Sequence, residues 1–269
     1  RSQKHEDKIM MRSLRSAASG MAAQQTHIDT IANNMANVST TGFRRSRAEF
    51  QDLIYQQVRT PGGRTADGGT LPTGVQIGQG TRTVSTEFMH TQGAMQQTGN
   101  PLDVAIEGEG FFQVVRPGGE IAYTRAGNLK LDNQGQLVTV DGLPIEPQIT
   151  VPQDATSVSI AQDGTVSVTQ PGSQQTMELG QLQIARFPNP GGLEAMGRSM
   201  FRATSASGQP LVVQPGQEGA GTLSQGFLEG SNVEVVNEMI DLISSQRAYE
   251  INQRVIQASD EMLRKSTEV

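Results

Sequence analysis

The stretch LRSAASGMAAQQTHIDTIANNMANVSTTGF, Leu14 to Phe43, decides the fold. Leu14, Ala17, Met21, Gln24, Ile28, Ile31, Met35 and Val38 recur at steps of three and four, which draws one apolar seam along an α-helix with Gln24 as its polar interruption. Ser39-Thr40-Thr41-Gly42 then reads as a stop, with Gly42 suited to the left-handed position after a helix and Phe43 as an apolar anchor. Asn33, Asn34 and Asn37 occupy helix positions at about 0.6 kcal/mol each relative to Ala, so something must compensate for them. Asn33 and Asn37 lie in line with Thr26 and Thr30, and this flank of donors and acceptors suits a dense helix array.

A second long helix is expected at the other end. Ser231 and Glu234 are spaced as a capping box, with Asn232 as the competing cap. Val236, Ile240 and Ile243 form one apolar row; Ala248, Ile251, Val255, Ala258 and Met262 form a seam displaced from it near Ser244-Ser245. Such a broad stripe asks for more than one partner helix. Closing the two ends on each other across about 190 residues costs about 4.7 kcal/mol if the middle were flexible, whereas neighbouring copies supply further apolar burial at about 25 cal/mol per Å². A polymer is therefore expected.

Between the helices the pattern changes to hairpin grammar. Phe111 to Val115, Pro117-Gly118-Gly119 and Ile121 to Arg125 form one unit. Leu129 to Val140 turns at Asp132-Asn133-Gln134-Gly135, and further short strands run from Val158 to Phe187, as in a small barrel or sandwich. The expected class is α+β: long terminal helices forming a coiled-coil-like inner domain and a β-rich middle of short hairpins. Residues 1–10 read as a charged tail or an upstream-start artefact, 11–42 as the first helix, 43–98 as an extended connector, 99–226 as the β domain and 227–269 as the second helix.

Composition limits the function. A net charge of -6 argues against nucleic acid, and the cluster Arg44, Arg45 and Arg47 reads as solvated. With no cysteine there is no thiolate chemistry and no sulfur-ligated metal, and no cofactor is expected. No run of 18 apolar residues is present, so membrane insertion is not expected, and the first 30 residues lack a secretory signal's apolar core. Gly78-Gln79-Gly80 lacks the third glycine and the helix of a dinucleotide fingerprint and reads as turn glycines. The histidines are His5, His27 and His90; His27 and Asp29, two apart on a helix, point to different sides, so no enzyme is expected.

Ala32-Asn33-Asn34-Met35-Ala36-Asn37-Val38-Ser39-Thr40-Thr41-Gly42-Phe43 resembles the N-terminal signature of bacterial flagellar rod and hook proteins, and Ser245-Gln246-Arg247-Ala248-Tyr249-Glu250-Ile251-Asn252 resembles their C-terminal one. Asp103 to Phe112, Tyr123 to Gly127 and Gly221 to Gly226 match as well, so the resemblance covers residues 11 to 269. Within that family the length and the stretch Leu71 to Gly80 resemble distal-rod members rather than proximal-rod or hook members. The resemblance implies a straight tubular homopolymer that carries motor torque across the periplasm. Its terminal helices would pack inside and the β domain outside. Its subunits would leave through the flagellar type III export apparatus without a cleaved signal. The implied partners are proximal rod proteins, the hook protein and the ring bushing.

The interface residues expected on this reading are Leu14, Met21, Ile28, Ile31, Asn33, Asn34, Met35, Asn37 and Phe43 at one end. At the other they are Val236, Ile240, Ile243, Gln246, Arg247, Tyr249, Ile251, Asn252, Val255 and Met262. A rod-specific loop, with Arg64, Leu71, Pro72 and Gly74 as markers, is expected to hold the polymer straight. The rival of a different class is an adhesin-like or sugar-binding β module on a coiled-coil stalk, which has no need of the two matched terminal signatures.

Overall fold

In a computed structural model, the structure describes residues 2–60, 62, 72–171 and 176–267, with side chains from 11 to 265. The chain is α+β: a first helix, α1 (Ser2–Ala36), a strand-rich middle and a last helix, α2 (Val235–Thr267). It divides into two compact units. One holds residues 1–35, 46–87 and 235–269, the other 36–45 and 88–234.

In the helical unit, α1 reaches back to Ser2, through the stretch read as a tail. No glycine or proline interrupts Ser2 to Leu14, and Lys, Glu and Gln are tolerant helix formers, so the helix continues where the apolar seam has ended. The segment after the signature forms two short antiparallel ladders. Ser46–Asp52 pairs with Thr81–Phe88, and Gln56–Arg59 pairs with Val75–Ile77 in the register Gln56 to Ile77. The strand expected over Val75 to Thr86 is thus two strands, split at Gly80, whose φ of +111° places it where an L side chain is strained. The start of α2 also differs from the expected capping box. The helix begins at Val235 because Asn232 is engaged elsewhere: its side chain accepts from Arg45 N at 2.6 Å and donates to Met89 O at 2.7 Å.

The β unit is built on a seven-stranded antiparallel sheet. Its path runs through Glu194–Gly197, Met200–Arg202, Ile121–Thr124, Phe111–Val115, Ile184–Arg186 and Leu211–Val213, with Ile145–Glu146 also on Phe111–Val115. The two-residue period of a strand sends Phe111 and Phe112 to opposite faces, and each founds a core. Phe112 joins Val104, Ile106, Leu137, Ile184 and Leu223 on one side; Phe111 joins Tyr123, Ala185, Phe187 and Phe201 on the other. The Tyr123 and Phe187 rings meet edge to face at 4.7 Å. The sheet is an open, two-faced layer rather than a closed barrel.

Candidate assembly surface

The end of the N-terminal signature is fastened inside the β unit. Gly42 has a φ of +67° and would place a Cβ 2.6 Å from Ala126 N, so both its conformation and its space require glycine. Its N–H donates to Glu229 O at 2.9 Å. The Arg44 guanidinium, read as solvated from sequence, is 1% exposed and donates to Glu229 Oε1 at 2.8 Å. Gly93 N–H donates to the same oxygen at 2.8 Å, and Arg125 Nη1 lies 3.4 Å from Glu229 Oε2. Arg125 also donates to Ile106 O and stands over the Phe111 ring. One buried carboxylate therefore joins three distant segments, and removing one partner of such a group costs about 3–5 kcal/mol. Burial pulls the Arg125 pKa down to about 10, with Glu229 opposing the shift. His90 packs edge-on to Phe111 and Phe201, and burial, then the charges of Arg44 and Arg125, holds its pKa down at about 4. Nothing in the local sequence around Arg44 marks this, because Glu229 lies 185 residues away.

In the helical unit, α1 and α2 meet through polar and small residues. Asn34 is 1% exposed; its amide donates to Ser46 O at 2.8 Å and to Glu238 Oε2 at 3.3 Å, and its Oδ1 accepts from Ser46 N at 2.9 Å. His27 Nδ1 and Ser245 Oγ are 3.1 Å apart, and the His27 ring meets Phe50 edge-on. A Cβ on Gly20 would come within 3.1 Å of Asn252 Nδ2. Ser13 Oγ and Ser259 Oγ are 3.4 Å apart. Thr26 and Thr30 turn their hydroxyls back to Ala22 O and Thr26 O of their own helix, which supplies the compensation a mid-helix Thr needs.

The residues expected at interfaces separate clearly by exposure. Ile31 and Asn34 are buried, while Leu14, Met21, Ile28, Met35, Asn37, Phe43, Tyr249 and Asn252 are half-buried. Asn33, Gln246 and Arg247 are exposed, as is the whole apolar row of α2: Val236 is 65% exposed, Ile240 58%, Ile243 47%, Ile251 61%, Val255 41% and Met262 54%. The residues of α2 that are buried are instead Glu238, Ser245 and Ser259. Of the loop markers, Arg64 and Leu71 lie outside the described residues; Pro72 is exposed and Gly74 half-buried beside the Gln56–Arg59 and Val75–Ile77 ladder. That ladder and its approach expose Ile54, Tyr55, Val58 and Val75.

Among the described residues no cluster of three or more His, Asp or Glu could hold a metal, and no helix is long and apolar enough to cross a membrane. A groove of about 330 Å³ lined by Pro101, Leu131, Asp132, Val151, Pro152 and Thr156 carries one ionisable group, and the Asp132 carboxylate already accepts from Gln134 N and Gln136 N at 2.8 Å.

Three families match along the chain: residues 14–44 match "Flagella basal body rod protein", 105–168 "Flagellar hook protein FlgE/F/G D1 domain", and 224–269 "Flagellar basal body rod FlgEFG protein C-terminal". The chain is 49% identical over 260 residues to the flagellar basal-body rod protein FlgG of Buchnera aphidicola subsp. Acyrthosiphon pisum, covering 97% of this chain and 100% of that one. It is 47% identical to FlgG of Caulobacter vibrioides over 96% of this chain and 99% of the relative, and 41% identical to FlgG of Bacillus subtilis over 94% and 97%. With signatures matched at both ends and likeness over nearly its whole length, the chain belongs to the FlgG family of flagellar basal-body rod proteins and is a structural subunit of that rod.

Proposed function

We propose that the chain polymerises into the straight, hollow distal rod that carries motor torque to the hook, with α1 and α2 forming a coiled-coil-like inner wall and the β unit lying outside. The observation that carries this reading is the set of six large apolar side chains of α2 that are between 41% and 65% exposed, of which Val236, Ile240 and Ile243 lie on the side away from the α1 contacts. An apolar stripe of this length left in water is costly, at about 25 cal/mol per Å², and neighbouring copies of the same helix offer a matching surface. The FlgG relatives, named as basal-body rod proteins, support assembly with other rod and hook components; proximal rod, hook, ring bushing and type III export apparatus are the partners we assign. The ladder of Gln56–Arg59 with Val75–Ile77, beside which Tyr55, Val58 and Val75 are exposed, belongs to the stretch we assign to stiffening the tube against bending.

Two measurements test this. Electron microscopy of polymers grown from purified subunits should show straight tubes. Ile251→Ser should raise the subunit concentration needed for tube growth. Tubes that grow at the parent's concentration would remove this residue of α2 from the wall contacts. Deleting residues 64–73 should give polymers that assemble but bend; tubes as stiff as the parent would remove this stretch from the stiffening role.

A further inference from the structure

The contacts between α1 and α2 repeat every seven residues on both helices. Ser13, Gly20, His27 and Asn34 of α1 meet Ser259, Asn252, Ser245 and Glu238 of α2, so each step of seven up one helix is a step of seven down the other. At 100° per residue this strip of α2 lies about 150° around the helix from exposed Val236, Ile240 and Ile243 and about 110° from Ile251, whereas exposed Val255 and Met262 flank it at about 50°. The strip is polar throughout, yet its Glu238, Ser245 and Ser259 are among the most buried residues of the unit.

The rungs also differ in size from one to the next. Large His27 faces small Ser245, and large Asn252 faces Gly20, where bare backbone leaves room for the amide. Sliding one helix by seven residues in one direction would bring Asn252 against Ser13, and in the other against His27. Either side chain occupies the space that only Gly20 leaves open, and either slide takes Asn34 away from Glu238. A uniformly apolar strip would be satisfied in several registers and by the apolar row of another copy, whereas a buried polar position fixes one register at some loss of stability.

We propose that these four polar rungs are the code by which the two terminal helices of one chain select each other, in one antiparallel register, over the apolar faces of neighbouring copies. The proposal rests on contacts within a single chain and stands or falls separately from the tube.

The test uses the full-length chain with Ser13→Cys and Ser259→Cys as the only thiols. Mild oxidation of dilute protein should give a disulfide within one chain. Adding Gly20→Asn, which improves helix propensity but fills the space of Asn252, should lower the ratio of intrachain to interchain disulfide about tenfold, equivalent to about 1.4 kcal/mol of lost discrimination. The swap Gly20→Asn with Asn252→Gly restores a small residue opposite a large one and should return the ratio to the parent value. Circular dichroism on each variant confirms that the helices remain. A ratio unchanged by Gly20→Asn overturns the proposal, and so does a fall that the swap does not reverse.

Discussion

The two units of this chain handle their apolar side chains in opposite ways. In the β unit Phe112, Ile106, Leu137 and Ile184 are fully enclosed, and even the charges of Arg44, Arg125 and Glu229 are turned inward and matched to one another. In α2 of the helical unit the large aliphatic residues face water, and serine and glutamate take the enclosed positions. The β unit thus closes two apolar cores within one chain, while Val140, Met177, Leu211 and Val212 stay exposed at its surface. The helical unit leaves large apolar side chains of α2 uncovered in the single chain. On the assembly proposed above, this division would separate two demands, with one unit holding a fixed shape and the other keeping the surface for association.

The contrast is broken most directly by a cavity in the enclosed unit. Phe112→Ala should destabilise the β unit by about 4 kcal/mol, because the ring is fully buried in the larger core and its removal leaves a cavity there. Hydrogen exchange at Ile184, opposite Phe112 in the ladder, should speed up accordingly. A loss below about 1 kcal/mol would show a core far looser than its packing implies. Next in size, Glu229→Gln should cost about 3 kcal/mol in urea denaturation, since it strands two buried guanidinium groups. Exchange of the amides of Gly42 and Gly93 should rise with it; an unchanged Gly93 would remove the carboxylate from its joining role.

A third effect follows from His90. Its folded pKa of about 4 lies below the ordinary 6.5, so the unfolded chain takes up the proton first. The stabilisation is whole above pH 6.5 and is lost as pH falls towards 4. At 1.36 kcal/mol per pKa unit the full shift would be about 3.4 kcal/mol, and solvent screening at the half-buried ring brings it to roughly 2–3 kcal/mol. His90→Phe keeps an aromatic ring beside Phe111 and Phe201 and should flatten that part of the pH profile. An equal slope in the variant would assign the acid sensitivity to other groups.

How far the sequence alone reveals this contrast depends on the range of each signal. Strands and turns such as Phe111–Val115 and the following Pro117-Gly118-Gly119 are legible because alternation and turn chemistry are local. The existence of both helices is legible for the same reason. The apolar seam of α1 is also legible, yet its contact strip with α2 runs through Ser13, Gly20, His27 and Asn34, a neighbouring line made of residues that no hydrophobic count would select. Arg44 is the sharpest case. A lone arginine beside two others reads as solvated, and what buries it is a carboxylate and an arginine far along the chain, supplied by tertiary pairing. Asn232 is similar: its cap-like position is real, but three partners near Arg45, Met89 and Thr91 engage its side chain first.

The smallest effect on the monomer is expected where the apolar side chains are most visible. Ile243→Ser removes a side chain that is 47% exposed and lies on the side of α2 away from the Asn34, His27 and Gly20 contacts, so the isolated subunit should change in stability by no more than about 0.5 kcal/mol. If the same residue lies between copies in the polymer, each subunit gains there about 2 kcal/mol of burial that the variant forfeits, and the loss recurs at every subunit of the tube. The critical concentration for polymerisation should therefore rise more than tenfold while the monomer's thermal melt is unchanged. Light scattering against subunit concentration, set beside the melt, reads both quantities from one preparation. A variant that polymerises at the parent's concentration would show that this row is left in water even in the assembled rod, and the division between a finished unit and an unfinished one would have to be drawn elsewhere.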